Sequence, residues 1–482
     1  MLNKPSATWP QKPLSEVVDL NPRLDKSAYR DDLEVSFVPM AAVEAGSGRM
    51  EVSQTKHFGA VKKGYTPFKE GDVLFAKITP CMENGKMAVV PKLINDIGFG
   101  STEFHVLRPH DVIDPRYVYY FVSAQGFRRE AAHHMTGAVG QKRVPQSFLE
   151  EASIPVPLLE DQQRIVAEIE KQFSRLDEAV VSLKRTKANL KRYKAAVLKA
   201  AVEGKLTEEW RKQHPDVEPA SELLEGILAE RRAKWSGRGK YTEAARPDPN
   251  NIGPAPSSWA WASLEQLCSR FVDSAHRTPH YGETGVPALG PRDVVGGKLN
   301  VKDARRVNDT EYAIQTARHV PQAGDIVYSR ELSLGWGAVI PPAARVCLSQ
   351  GMCLFRPQEG VDPRYFMIVL NGPLGRHQAE LAATGSAHPH INLGDIKKYS
   401  VPLPPSAEQE QIVAEVERRL SVIAELEATV EANLTRAERL RQSILSEAFS
   451  GRLVTGAKSG RRQLKEELPL AAESPAEYRT SR

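Results

Sequence analysis

Four polar loops, two in each half of this 482-residue chain, hold side chains of the types that can recognise the edges of nucleic-acid bases. In the first half, AKITPCMENGKM offers Lys77, Thr79, Asn84 and Lys86, and TGAVGQKRVP brings Gln141, Lys142 and Arg143 together behind Gly137 and Gly140. The corresponding stretches of the second half are SRELSLGWG, with Arg330, Ser333 and Trp336, and TGSAHPHIN, with His388, His390 and Asn392. Arg and Lys suit guanine O6 and N7, and Asn or Gln suits adenine N6 and N7, so these residues are the candidate DNA contacts. Any one of these loops alone would pass for a surface turn. Loops that differ while their flanks repeat are what readers of two different words require.

Hardware for covalent chemistry is missing from the sequence. It has no GxxxxGK[ST] phosphate loop, no GxGxxG after a strand, no HExxH and no GxSxG elbow, and it lacks the Asn/Asp-Pro-Pro-Tyr/Phe tetrad with which amino-methylating enzymes hold a flipped base. Glu203-Gly204-Lys205 and Asp395-Ile396-Lys397 have the acid-x-Lys spacing of nucleases, but three-residue matches arise by chance in a chain this long. The pairs His388/His390 and His133/His134 lack further ligands, and Cys81, Cys268, Cys347 and Cys353 form neither a CxxC pair nor a zinc ladder. No catalytic residue and no metal ligand is assigned. A net charge of +5, with 26% charged and 41% hydrophobic residues, fits a soluble protein with a mild preference for polyanions. No uncharged apolar stretch approaches the roughly 18 residues of a membrane span, so a reduced, cytoplasmic setting is expected.

The loops need a frame, and the sequence supplies it twice. SIPVPLLEDQQRIVAEIE begins at Ser153 and SVPLPPSAEQEQIVAEVE at Ser400, and the 247-residue offset persists from Ser153/Ser400 to Gly204/Gly451. Asp114-Pro115-Arg116-Tyr117 likewise matches Asp362-Pro363-Arg364-Tyr365, and Gly71-Asp72 matches Gly324-Asp325. Each half is a variable block followed by a constant segment. In the first constant segment Ile169, Phe173, Leu176, Val180, Leu183 and Leu190 fall on one face in alternating steps of four and three, with Lys187 and Lys194 contributing alkyl stems. Val416, Leu420, Ile423, Val430, Leu434 and Ile444 do the same in the second, with Glu427 and Arg441 as imperfect positions. Such spacing is a helix-pairing seam. Prolines forbid an earlier start to either helix and a glycine sits where each should stop.

Charge adds a complement. From Asp161 to Glu203 ten Lys/Arg face six Asp/Glu, whereas from Glu408 to Ser450 the counts are five and nine, so the helices carry +4 and −4. An α+β protein follows: two α/β blocks separated by two long helices that pair as an antiparallel coiled coil, with an internal pseudo-two-fold repeat. FKEGDVLFAKI and QAGDIVYSREL each place a Gly-Asp turn before a buried strand. The expected divisions are a first block at 1–157, a helix segment at 158–206, a linker with a short helix at 207–258, a second block at 259–404, a helix segment at 405–454 and a disordered tail at 455–482.

These segments resemble the specificity subunits of type I restriction-modification systems. The resemblance rests on the proline-led helix openings, on GDVLFAKITPCMENGKMAVV and TGAVGQKRVP, and on KLTEEWRKQHPDVEPASELLEGILAERRAKW, and it extends from about Trp9 to Val454. It implies a non-catalytic subunit whose two target recognition domains each read half of a split double-stranded DNA target. The implied partners are two methyltransferase subunits and translocase-nuclease subunits; their complex would use S-adenosylmethionine, ATP and Mg, none of them bound by this chain. Helices of roughly 40 residues would extend about 60 Å and set the gap between the half-words at under about 18 base pairs. Two other classes remain open: a coiled-coil scaffold that binds DNA without reading it, and a self-sufficient restriction-methylation enzyme.

Overall fold

The computed structural model describes residues 9–455 apart from Val139, Gly237, Arg238 and Ala387, so the expected tail lies, beyond Thr455, outside the described residues. It divides into two compact units, residues 1–184 with 431–482, and residues 185–430. The divisions fall inside the two long helices, Leu159–Val202 and Ser406–Phe449, each 44 residues and each bracketed by the expected proline and glycine.

In the first unit Val18–Leu20, Phe104–Pro109, Val73–Ala76 and Met87–Val89 form an antiparallel sheet in that order. A second sheet runs Gln54–His57, Glu34–Val38, Gly98–Gly100, Thr66–Phe68, and pairs Glu34–Val38 with Gly98–Gly100 in parallel. The second unit repeats the first sheet as Cys268–Asp273, Met352–Pro357, Ile326–Ser329 and Gly337–Val339. It also repeats the parallel pairing, in Val286–Leu289 with Cys347–Leu348. The blocks are thus mixed helix and strand, and predominantly antiparallel.

The Gly-Asp turns do more than turn. Gly71 and Gly324 adopt φ of 82° and 86°, and each following aspartate is buried. Asp72 receives Arg108 at 2.8 and 2.7 Å, and Asp325 receives Arg356 at 2.6 and 2.9 Å. Two parallel N–H···O bonds satisfy the buried carboxylate and tie the strand after the turn to its neighbour.

Each block is fastened to the start of its long helix by the same side chains. Asp114 caps the helix Pro115–Ser123 and Asp362 caps Pro363–Asn371, with proline at the first turn of both. The Gln162 carboxamide accepts from Asp114 N (2.9 Å) and donates to the Val112 and Pro157 carbonyls (3.1 and 2.8 Å). Gln409 accepts from Asp362 N (2.8 Å) and donates to the Gly360 and Pro404 carbonyls (3.1 and 3.0 Å). Buried Tyr117 and Tyr365 donate to the carbonyls of Pro155 and Pro402.

The anticipated seam residues are the more covered positions of both helices. Ile169, Leu190, Val416, Ile423 and Val430 are buried, and Phe173, Leu176, Val180, Leu183, Leu420, Leu434 and Ile444 are half-buried. Lys187 and Lys194 depart from expectation: both are exposed, their charged heads being cheaper to leave in water. In the first unit Ile165, Val166 and Ile169 share a cluster with Leu445, Ala448 and Phe449. Arg441 occupies its seam position by reaching Asp177 at 3.0 Å and lying 4.3 Å over the Phe173 ring. In the second unit Val197 and Ala201 cluster with Ile412, Val413 and Val416. Buried Glu408 accepts from the Thr207 hydroxyl (2.6 Å), the Trp259 indole (2.8 Å) and Arg211.

Candidate nucleic-acid interface

The two loops of each half are joined by the same backbone contact. Val144 N donates to Lys77 O at 2.9 Å in the first unit, and Ile391 N donates to Arg330 O at 3.0 Å in the second. Thr79 N also donates to Lys142 O at 3.0 Å. Both joints lie just past a buried central strand, Val73–Ala76 or Ile326–Ser329, so a rigid element sets their height.

The candidate side chains divide sharply once their partners are known. Asn84, Gln141 and Lys142 are exposed, and their side chains make no hydrogen bond among the described residues. Lys77 is half-buried beside them. Thr79 donates to Glu83 (3.1 Å) and Lys86 to Met40 O (3.0 Å), which ties Lys86 into the separate turn around Ala45. Arg143 is committed internally: its guanidinium grips Glu103 at 2.8 and 2.9 Å. Those bonds hold the Glu103 carboxyl below its usual range. Beneath the joint, burial pushes the His105 imidazole below its ordinary value, although its Nε2 lies 2.9 Å from Val144 O.

In the second unit His388 and Asn392 are exposed and His390 is half-buried, with Thr384 and His390 paired across a two-residue ladder. Arg330 is not free; Asp273 takes its Nη1 at 2.5 and 2.6 Å. The Ser333 hydroxyl points inward, its single proton shared between the carbonyls of Pro291 and Val294, the latter 3.0 Å away. Trp336 is half-buried with the Arg376 guanidinium 4.3 Å above its ring. Residue type marked these three positions from sequence, and the partners that occupy them, Asp273, Pro291 with Val294, and Arg376, lie outside the loop.

A loop that sequence reasoning passed over joins this surface. Residues 274–281 follow the strand that ends at Asp273, with His276 Nε2 2.9 Å from Asp273 and Thr278 Oγ1 bonded to Gln350 at 3.2 Å. Arg277 pairs with Glu311 at 2.9 Å, and Arg305 stacks 3.7 Å over Tyr281. The histidines and arginines there were visible, but no repeated counterpart in the first half drew attention to them.

The two acid-x-Lys matches differ in their partners. Lys205 pairs with Glu203 itself, and Lys397 pairs with Glu265 rather than Asp395. No group of three His, Cys, Asp or Glu is placed to hold an ion there, and no described helix is long and apolar enough to cross a membrane. The surfaces are equipped to bind by hydrogen bond and charge.

Comparison with known proteins supplies the family. The family model described as the type I restriction modification DNA specificity domain matches residues 7–191 and 300–436. The chain is 28% identical over 471 residues to the type I restriction enzyme EcoAI specificity subunit of Escherichia coli, covering 87% of this chain and 78% of that one. It is 26% identical to the EcoEI specificity subunit of the same species, over 88% and 80%. A solved chain from work on complex assembly and conformational transition of the type I R-M system superimposes with a TM-score of 0.65 at 20% identity, over 93% of this chain and 99% of that one. The HsdS subunit from Thermoanaerobacter tengcongensis gives 0.51 at 20% identity, over 92% and 97%. With two thirds of its length matched by the family model and the specificity subunits aligned along most of theirs, the chain belongs to the type I restriction-modification DNA specificity family.

Proposed function

We propose that this chain is the DNA-reading, non-catalytic subunit of a type I restriction-modification complex, and that each mixed block reads one half of a split target. The observation that carries the reading is the repeated joint: two pairs of backbone-linked polar loops, each on a block bolted to the start of a 44-residue helix by the same Asp, Tyr and Gln. Pairing of the long helices as an antiparallel coiled coil is part of the proposal, supported by Ile169 with Leu445 in one cluster and Arg441 with Asp177. At 1.5 Å per residue each helix extends about 66 Å, which limits the gap between half-words to under about 20 base pairs. The exposed Asn84, Gln141, Lys142, His388 and Asn392 are the direct readers we favour. Methyltransferase and translocase-nuclease subunits are the expected partners, and they would bring S-adenosylmethionine, ATP and Mg chemistry to the bound site.

Genome-wide mapping of methylated adenines in cells with and without this chain tests the proposal. Two short words at a constant separation, lost on deletion, are expected. A single uninterrupted word, or a methylation pattern indifferent to the deletion, would refute it.

A further inference from the structure

Arg330 sits where four irregular segments of the second unit meet. Its backbone N–H donates to Gly351 O (2.8 Å), its carbonyl accepts from Ile391 N (3.0 Å), and its Nε donates to Ile391 O (2.9 Å). Its Nη1 reaches both oxygens of Asp273, whose Oδ2 also lies 2.9 Å from His276. The residue thereby links its own loop to the turn at Gly351 through its backbone, and through its side chain to the loop ending at Ile391 and the 274–281 loop.

The equivalent position of the first unit differs. Lys77 stands there with the same carbonyl contact to Val144, and the ion pair that stiffens that joint is Arg143 with Glu103. The two units keep the joint and have moved the ionic pin.

A guanidinium whose side chain is only 13% exposed, against a carboxylate 15% exposed, is poorly placed to leave for a guanine. Departure would break a charge-assisted pair and strand the Asp273 charge in a partly buried site. The histidines around it face solvent: His276 and His388 are exposed, whereas Arg277 is half-buried and held by Glu311.

We propose that Arg330 is a positioning residue for the second half-word: the Arg330–Asp273 pair fixes how its own loop, the loop ending at Ile391 and the 274–281 loop stand relative to one another, and His276 and His388 are specificity-determining side chains that it holds in place. The inference rests on the DNA-reading function proposed above. Loops without regular structure hold a site to the needed tolerance only when second-layer bonds lock them.

The test is selection from a random duplex library by the full chain, purified with the subunits that copurify with it, comparing wild type with Arg330→Met, Arg330→Lys and Asp273→Asn. Arg330→Met and Asp273→Asn should both relax base discrimination in one half-word by on the order of tenfold, the scale of one mismatched base pair, while the other half-word is unchanged. Arg330→Lys keeps the charge but loses the planar fork and the Nε bond to Ile391, and should fall between. If Asp273→Asn leaves discrimination intact while Arg330→Met abolishes it, Arg330 is itself a reader and the proposal fails. Equal relaxation of both half-words, or none, overturns it too. A wild-type selection that yields no word at all refutes the DNA-reading function itself and would be recognised by its independence of these variants.

Discussion

Replacing Phe449 with alanine should loosen the first unit and leave the second untouched. Phe449, the last residue of the second long helix, is 6% exposed. Its ring meets Tyr117 and Phe121 edge-on, with centroids 5.1 and 5.3 Å apart. Buried Phe→Ala changes cost about 3–5 kcal/mol, and two aromatic contacts of about 0.5–1.5 kcal/mol each place this one toward the upper end. At about 1.4 kcal/mol per factor of ten, opening of the helix Pro115–Ser123 should rise by roughly three orders of magnitude or more. Hydrogen exchange read by mass spectrometry reports this directly. Peptides over Pro115–Ser123 and the first turns of Leu159–Val202 should lose protection, while those over Pro363–Asn371 keep theirs. Phe449→Leu retains most of the volume and should cost under about 1.5 kcal/mol. Unchanged protection over Pro115–Ser123, or equal loss in both units, would refute the packing argument.

Two further outcomes follow from charge and burial. Hydrogen bonds from Arg418, and then Arg419 acting against burial, hold the Glu415 carboxyl at about 2 rather than 4.5. Because the folded value is depressed, the stabilisation is present above about 4.5 and fades as pH falls toward 2; an NMR titration of Glu415 with its midpoint near 4.5 would contradict the pairing. Of the four cysteines Cys268, Cys347 and Cys353 are buried, and burial raises their thiols, Cys347 to about 12. Native iodoacetamide treatment should therefore label Cys81 alone and urea should expose the rest, whereas rapid native labelling of Cys353 would show its strand to be open.

Legibility in the sequence followed the range of the interaction. The long helices were readable because a seam in steps of three and four, a leading proline and a closing glycine are all local, and Glu427 and Arg441 were recognisable as awkward seam positions. The Gly-Asp turns announced the buried strands after them, but not the arginines that satisfy their aspartates 36 and 31 residues away. Loop residues were identified by type. Which of them are free was not, because Arg330 and Arg143 are claimed by carboxylates 57 and 40 residues distant. The parallel strand pair in each block left no pattern, since its members are short and separated by other strands.

The fastening of block to helix has a consequence for how such a chain can change. Gln162 and Gln409 close their bonds on main-chain oxygens, and so do Tyr117 and Tyr365. An oxygen of that kind is present whatever residue carries it, which is why Val112 in one unit and Gly360 in the other serve equally well. Novelty in the recognition surfaces can therefore accumulate without renegotiating the attachment, because the socket tests the course of the backbone and ignores the identity of most residues that line it.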